Sequence, residues 1–386
     1  MAWRECDVVS QRKEFVQLAS VEGANFSELC QRFEVSRKTG YRWLKRWREE
    51  GDAGLVNQSR RPHGSPLKSS DATEQAVLKI RDAHPAWGGR KIQRCLLNSG
   101  MASPPSPSTI TEILRRHNRI SPEESAKRKQ LGRFEREQPN DLWQVDFKGE
   151  FKLSTGAWCY PLTLLDDHSR FSLGVFSCGR QTRSTVQPLF REVFAVYGLP
   201  RAIYVDNGNP WGTKDRGYKH TKFTAWLLRH DVQVIHGRPY HPQGRGKLER
   251  FHRTLDLELL QGRQFASMHE SQGEFDRWRS VYNLERPHEA LEMGVPANRY
   301  RVSERRFTEH TRPYEYSDRF EVRTSNRVGQ ISFRSKTYRI SEAFANERVG
   351  LAPSNVAGVW DVYYCRYRVA SLDERLGVIR RHEPRP

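Results

Sequence analysis

The feature that most restricts the fold is a repeated change of hydrophobic period in the middle of the chain. Trp143, Val145 and Phe147 alternate with Gln144, Asp146 and Lys148, and this period of two predicts a strand. Apolar runs at 159–165 and 171–178 predict two more, joined by the turn Asp166-Asp167-His168-Ser169-Arg170. The period then lengthens to that of a helix over 182–197, with Val186, Leu189, Val193 and Phe194 in one stripe. A short buried strand at 202–205 ends on Asp206-Asn207-Gly208. A helix at 220–230, a strand at 232–235 and a long helix at 244–260 complete the series. Three hairpin-like strands followed by alternating helices and strands require a mixed sheet with helices packed on it.

That order places acids where chemistry can use them. Asp146 lies on the first strand, Asp206 at the carboxyl end of the fourth, where α/β sheets build their sites, and Glu249 on the last helix. A phosphodiester is anionic and resists attack by another anion. Two Mg²⁺ ions about 3.5–4 Å apart activate the attacking oxygen and stabilise the leaving one, and such ions prefer hard oxygen ligands. Taken singly, each acid has an ordinary alternative: a wet strand face for Asp146, a turn for Asp206, a surface ion pair worth ~0.2–0.5 kcal/mol for Glu249. Together they point to metal-assisted phosphoryl transfer, with DNA joining and plain nuclease action both open. The helix around Glu249 is basic. Gln243 in its entry loop, with Arg245, Lys247, Arg250 and Arg253, is assigned to phosphate contact. His252 shares the face of Glu249.

The remainder of the chain favours a polyanionic partner. Lys and Arg total 65 against 46 Asp and Glu, a formal charge of +19. Such a field attracts nucleic acid first and an anionic membrane second. The 18 Phe, 14 Tyr and 10 Trp argue against a disordered basic chain. Residues 11–50 read as three short helices. Asn25 gives a cap signal before the second, and Ser36 before the third. On the third, Gly40, Leu44 and Trp47 form an apolar side. Arg37, Lys38, Tyr41, Arg42 and Lys45 form a basic, aromatic side suited to a DNA major groove. The alternative for one such helix is a solvated basic face. The preceding helix, the short turn at Val35-Ser36 and the net charge favour a helix-turn-helix. Arg60 and Arg61, in the Ser/Pro/Arg-rich stretch 57–70, are candidates for tracking phosphates; a solvated tether is the alternative. Helices at 73–84, 90–99 and 108–117 predict a second helical unit, either another helix-turn-helix or a spacer.

Short alternating segments over 318–368, rich in Arg, predict a small β-barrel that binds DNA or protein. The tail 376–386 is expected to be disordered. The six cysteines Cys6, Cys30, Cys95, Cys159, Cys178 and Cys365 form no CxxC pair or zinc pattern, as expected in a reducing cytosol. No run approaches the ~18–20 apolar residues of a membrane span, and the N-terminal residues lack a signal-peptide pattern.

Trp143-Gln144-Val145-Asp146, then Val205-Asp206-Asn207-Gly208, then HPQGRGKLERFHRTL at 241–255 resemble, in that order, the DDE transposase and retroviral integrase superfamily. The likeness is specifically to insertion-sequence transposases with an integrase core. YNLERPHEAL at 282–291 is similar to the segment that follows this core. The resemblance covers residues 140–300 and, more loosely, the N-terminal helices. It implies a ribonuclease-H-like core in which Asp146, Asp206 and Glu249 are catalytic and hold two Mg²⁺ ions, with Mn²⁺ able to substitute. It also implies donor-strand hydrolysis followed by attack of the freed 3′-OH on target DNA. The family spacing between the second and third acids is exceeded here, and the polar loop 209–219 accommodates the extra length.

The expected protein is therefore multidomain. It has a helix-turn-helix domain at 1–56, a linker at 57–70, a second helical or helix-turn-helix domain at 71–118 and a basic linker at 119–139. A catalytic core at 140–300, an accessory barrel at 301–375 and a tail at 376–386 follow. Its expected partners are double-stranded DNA, as element ends and target, and further copies of itself in a dimer or larger synaptic complex, with no membrane. Its expected place is the bacterial cytosol, on the nucleoid. A domesticated DNA-binding regulator and a metal nuclease without joining activity are the alternatives.

Overall fold

The computed structural model describes residues 8–57, 68–120, 136–212, 220–237 and 246–381. The chain divides into two compact units, Met1–Lys68 and Ser69–Pro386.

The first unit holds α1 (Val8–Leu18), α2 (Phe26–Arg32) and α3 (Arg37–Glu50), closed by a 3₁₀ turn at Gly51–Leu55. The caps lie where the sequence puts them. The Asn25 side chain accepts from Glu28 N at 3.3 Å, and Ser36 Oγ accepts from Thr39 N at 3.2 Å. Phe15, Val16, Cys30, Trp43, Leu44 and Leu55 form the core. Gly40 sits where the helices press closest. A Cβ there would lie 2.8 Å from Phe15 Cζ and 3.0 Å from Phe26 Cζ, so α3 needs a bare backbone at this position.

The second unit opens with α4 (Asp71–Ala83), α5 (Gly89–Asn98) and α6 (Pro107–Arg116), around Val77, Trp87, Ile92, Leu96, Ile110, Ile113 and Leu114. Buried Glu74 accepts from Arg116 at 2.7 Å and lies 2.9 Å from His117 Nε2, tying the start of α4 to the end of α6.

Next come β1 (Leu142–Phe147), β2 (Phe151–Lys152), β3 (Trp158–Asp166), β4 (Ser172–Cys178), α7 (Arg183–Tyr197), β5 (Ala202–Val205), α8 (Lys222–Arg229) and β6 (Gln233–His236). They are followed by α9 (Gly246–Leu255), a π-helical turn at Asp256–Leu260, and α10 (Met268–Leu284). The strands give the mixed sheet that the periodicity requires. β4, β3 and β1 are antiparallel neighbours, and β5 and β6 continue from β1 in parallel. Trp143, Val145, Leu162 and Leu164 face α7 and α8, packing on Phe190, Phe194, Phe223 and Leu227. Leu165 and Val175 face the other way, onto α9 and α10 through Leu248, Phe251, Phe275 and Tyr282.

α10 is absent from the sequence reading. Its polar side chains close the free edge of β4. Asn283 accepts from Ser172 N at 2.8 Å and donates to Ser172 O at 2.9 Å; Gln272 accepts from Ser177 N at 2.8 Å and donates to Val175 O at 3.0 Å. An exposed strand edge invites pairing with another chain, and these amides occupy it.

The C-terminal part holds β7 (Glu321–Thr324), β8 (Gln330–Phe333), β9 (Lys336–Arg339), β10 (Arg348–Pro353), β11 (Val359–Tyr364), β12 (Tyr367–Asp373) and β13 (Val378–Arg381). Two expectations need correction. The strands do not pair into a closed barrel. Five form an open antiparallel sheet in the order β13-β12-β11-β10-β7, and β8 and β9 pair only with each other among the described residues. The hairpin covers the sheet through side chains instead, with Ile331, Phe333 and Tyr338 packed in the same core as Val349, Leu351, Val362 and Leu372. The tail is also not wholly irregular, because Val378–Arg381 forms β13 along β12. Gly377, at a φ of +66°, makes the turn, and Ile379 packs against the core.

Candidate active site

β1 and β5 run parallel with Leu142 opposite Ala202 and Gln144 opposite Tyr204. Continuing that register by two positions sets Asp206 beside Asp146, on the same face, with strands about 4.8 Å apart. Both residues are half-buried. Asp206 Oδ1 accepts from Gly208 N at 3.0 Å, which fixes the carboxylate at the strand end. A Cβ on residue 208 would lie 3.0 Å from Asp206 Oδ2, so glycine leaves that oxygen room. Asp206 O takes a hydrogen bond from His236 Nδ1 at 3.0 Å, and Asn207 Nδ2 donates to Gly237 O at 3.1 Å; both tie the turn to β6.

Glu249 is exposed on the first turn of α9. The helix is fastened over the face of the sheet that carries Asp146. Thr163, which pairs with Asp146 across β3, donates through Oγ1 to Asp146 O at 2.9 Å. The same oxygen lies 2.7 Å from His252 Nε2. With the threonine proton given to Asp146, the histidine must donate. Burial, with help from Lys148, pushes the His252 pKa down to about 4, so this imidazole is neutral at pH 7. Lys148 in turn pairs with Asp256 at 2.9 Å, and Lys247 with Asp167 at 2.5 Å. The segment that carries Glu249 is thus held to β1, β3 and the β3–β4 turn. Among the described residues, no three His, Cys, Asp or Glu side chains gather closely enough to hold a metal ion. Two carboxylates brought close together repel one another, and a bound cation or a shared proton offsets that repulsion. The donor set itself, carboxylate oxygens with Asp146 and Asp206 at adjoining strand ends, suits a hard divalent cation.

The DNA-contact expectations fare unevenly. Arg37, Lys38, Tyr41, Arg42 and Lys45 are all exposed on α3. Tyr41 stacks on Phe26 with centroids 4.1 Å apart, and Arg42 lies over Trp43 at 5.2 Å. Arg250 and Arg253 are exposed beside Glu249. Lys247 is not placed to meet a phosphate. Its side chain is 14% exposed and engaged by Asp167. Arg60, Arg61, Gln243 and Arg245 lie outside the described residues. Thr163, Asp167 and Asp256 are positioning groups that the sequence does not reveal, because their partners are distant in the chain. No helix among the described residues is long and apolar enough to cross a membrane. Cys30, Cys95, Cys159, Cys178 and Cys365 are free thiols.

Comparison with known proteins bears on these elements. An integrase core domain profile matches residues 136–242 and a second one 230–296. A helix-turn-helix domain profile matches 11–63, a homeodomain-like one 39–114, and that of the IS481 family transposase C-terminal domain 320–379. The insertion element IS476 uncharacterized 39.2 kDa protein of Xanthomonas euvesicatoria is 25% identical over 253 residues, 64% of this chain and 69% of that protein. The Gag-Pro-Pol polyprotein of sheep pulmonary adenomatosis virus is 31% identical over 122 residues, which is 32% of this chain but only 6% of the polyprotein. Among solved structures, the HTLV-2 integrase catalytic core domain in complex with magnesium covers 43% of this chain and 99% of its own, at 13% identity and a TM-score of 0.32. A chain from the structure of the simian T-cell lymphotropic virus intasome in complex with PP2A regulatory subunit B56 gamma covers 80% of this chain and 100% of its own, at 12% identity and a TM-score of 0.38.

Proposed function

We propose that this chain, whose domains are those of a DDE-type insertion-sequence transposase with a retroviral-integrase-like core, binds the ends of a mobile element, cuts there and joins the freed 3′-OH to target DNA. The observation that carries the reading is the parallel register that sets Asp206 beside Asp146 at adjoining strand ends. A ribonuclease-H-like core with two acids at that point and a third on the docked helix α9 is a phosphoryl-transfer site. Asp146, Asp206 and Glu249 are its metal ligands. Mg²⁺ bound there, as a pair of ions or with Mn²⁺ in its place, supplies activation of the attacking oxygen and charge stabilisation of the leaving one.

The protein's own groups do the rest. Arg250 and Arg253 meet phosphates beside Glu249. The neutral His252, holding Thr163, keeps α9 against β3 without adding a charge to the site. The face of α3 built from Arg37, Lys38, Tyr41, Arg42 and Lys45 reads the element's end in the major groove. Residues 1–56 and 71–118 are its DNA-binding domains, with linkers at 57–70 and 119–139, and 301–375 is an accessory domain. Two ends must be held together for paired cutting, so the working form is a dimer or larger assembly on DNA.

The deciding experiment incubates purified protein with terminal-repeat DNA and a target plasmid. Joined product is expected with Mg²⁺ or Mn²⁺ and none after chelation. Cleavage without joining would reduce the protein to a nuclease, and end binding with neither would make it a regulator. In the same system, Lys38→Ala and Arg42→Ala are each expected to weaken end binding by about tenfold if the side chain reads a base. Each lost phosphate contact should make the salt slope shallower by about 0.9. Unchanged affinity and slope in both variants would remove α3 as the reading helix.

A further inference from the structure

The helix that carries Glu249 does not run on regularly. It passes from α9 into the π-helical turn Asp256–Leu260, a local irregularity that recurs at functional sites. Within that turn Glu258, its side chain 10% exposed, lies among cations. Its Oε1 accepts from Arg286 Nε at 2.9 Å, and both side chains are 10% exposed. Its Oε2 accepts from Trp278 Nε1 at 3.2 Å. Lys91 Nζ lies 3.9 Å from Oε1 with its own side chain 17% exposed. Trp278 belongs to α10, Arg286 to the segment after it, and Lys91 to α5. One carboxylate therefore joins the Glu249 helix to α10 and to the preceding helical domain. Phosphoryl transfer as described above makes no use of it.

A buried ion pair adds little net stability over an apolar replacement, because desolvation offsets much of the attraction; its best-attested use is to fix a register. Glu258 lies nine residues beyond Glu249, on the order of 13 Å along a helix, so it cannot touch the reacting groups. It can act only through the backbone between them. Asp167–Lys247 and Thr163–His252 hold α9 to the sheet, whereas Glu258 holds its far end to the helical domain.

We infer that Glu258 is a positioning residue: its contacts with Arg286, Trp278 and Lys91 set the axial position and rotation of α9, and so make the placement of Glu249 depend on the docking of α5. The inference rests on the transposase reading for its catalytic consequence, but not for its structural one. A misplacement of about 1 Å in a site of this kind can cost on the order of 100-fold in rate.

The test uses the full chain with Glu258→Gln, Glu258→Ala, Lys91→Met and the double variant Glu258→Ala/Arg286→Met. Amide hydrogen exchange over 247–255 is expected to quicken about tenfold in Glu258→Ala and less in Lys91→Met, with β1 and β5 unchanged. The rate of joining should fall about tenfold or more, with end affinity within about twofold of the parent. The double variant should be no worse than Glu258→Ala alone, because the two groups act as a unit. If Glu258→Ala does not fold, Glu258→Gln and Lys91→Met carry the same comparison. Unaltered exchange in α9, or exchange that quickens equally in β1 and β5, overturns the inference. A parent protein that joins no DNA defeats the transposase reading and leaves the exchange result to judge this one.

Discussion

Asp206→Asn is expected to abolish cleavage and joining together, by on the order of 10³-fold or more, while affinity for the element's ends stays at the parent value. The substitution is nearly isosteric. An asparagine Oδ1 can still accept from Gly208 N, as Asp206 does at 3.0 Å, so the turn at the end of β5 survives. On the proposed assignment, what is lost is the negative charge that would balance a divalent cation, for which a neutral amide oxygen is a much poorer ligand. End binding should persist because α3 lies in Met1–Lys68, a separate compact unit from the one that holds Asp206. If the three acids act as the proposed unit, Asp146→Asn and Glu249→Gln should behave alike, since removing one member of such a set costs nearly as much as removing all of it. A gel assay of joined product beside a band-shift titration reads both quantities. Normal joining by Asp206→Asn would take that carboxylate out of the site, and loss of end binding would mean that the variant had misfolded.

What could be read in the sequence follows from how local its causes are. β1 and β5 were legible because alternation or an apolar run spells them out, and a parallel neighbour follows from the helix between strands. α2 and α3 were legible through Asn25 and Ser36, whose cap bonds reach only three residues. α10 was not, although Phe275, Trp278 and Tyr282 sit at helical spacing. Around them lie residues such as Ser271, Gln272 and Arg279, whose partners include backbone and side-chain atoms of β4 and α7, about a hundred positions away. The same limit applies to the site. The residue types at 146, 206 and 249 are visible one by one. The parallel register joining the first two, and the Thr163–His252 contact that docks the helix of the third, exist only in the folded chain. Asp167 stands in the sequence only as part of a five-residue turn, yet it is 1% exposed.

That burial sets the second large effect. Asp167→Ala should destabilise the Ser69–Pro386 unit by about 3–5 kcal/mol, the usual cost of removing one partner from a buried ion pair. The carboxylate accepts from Gln144 Nε2 at 2.7 Å, Arg136 N at 2.9 Å and Lys247 Nζ at 2.5 Å. Alanine removes all three of these bonds, and the largely buried Lys247 ammonium loses its carboxylate while keeping its 3.1 Å bond to the backbone oxygen of residue 167. Lys247→Met should cost less, because Asp167 keeps its bonds from Gln144 and Arg136, and the methionine fills the space of the lysine stem. The double variant Asp167→Ala/Lys247→Met should then be more stable than Asp167→Ala alone, since it no longer buries an ammonium that has lost its carboxylate. Urea midpoints at constant slope give the three values. An Asp167→Ala loss below about 1 kcal/mol would mean that water solvates Lys247 and that the pair holds nothing. Lys247 stands two residues before Glu249, so a real loss has a second consequence: on the proposed assignment, joining by Asp167→Ala should fall further than its folded fraction, because that end of the helix carrying Glu249 is loosened.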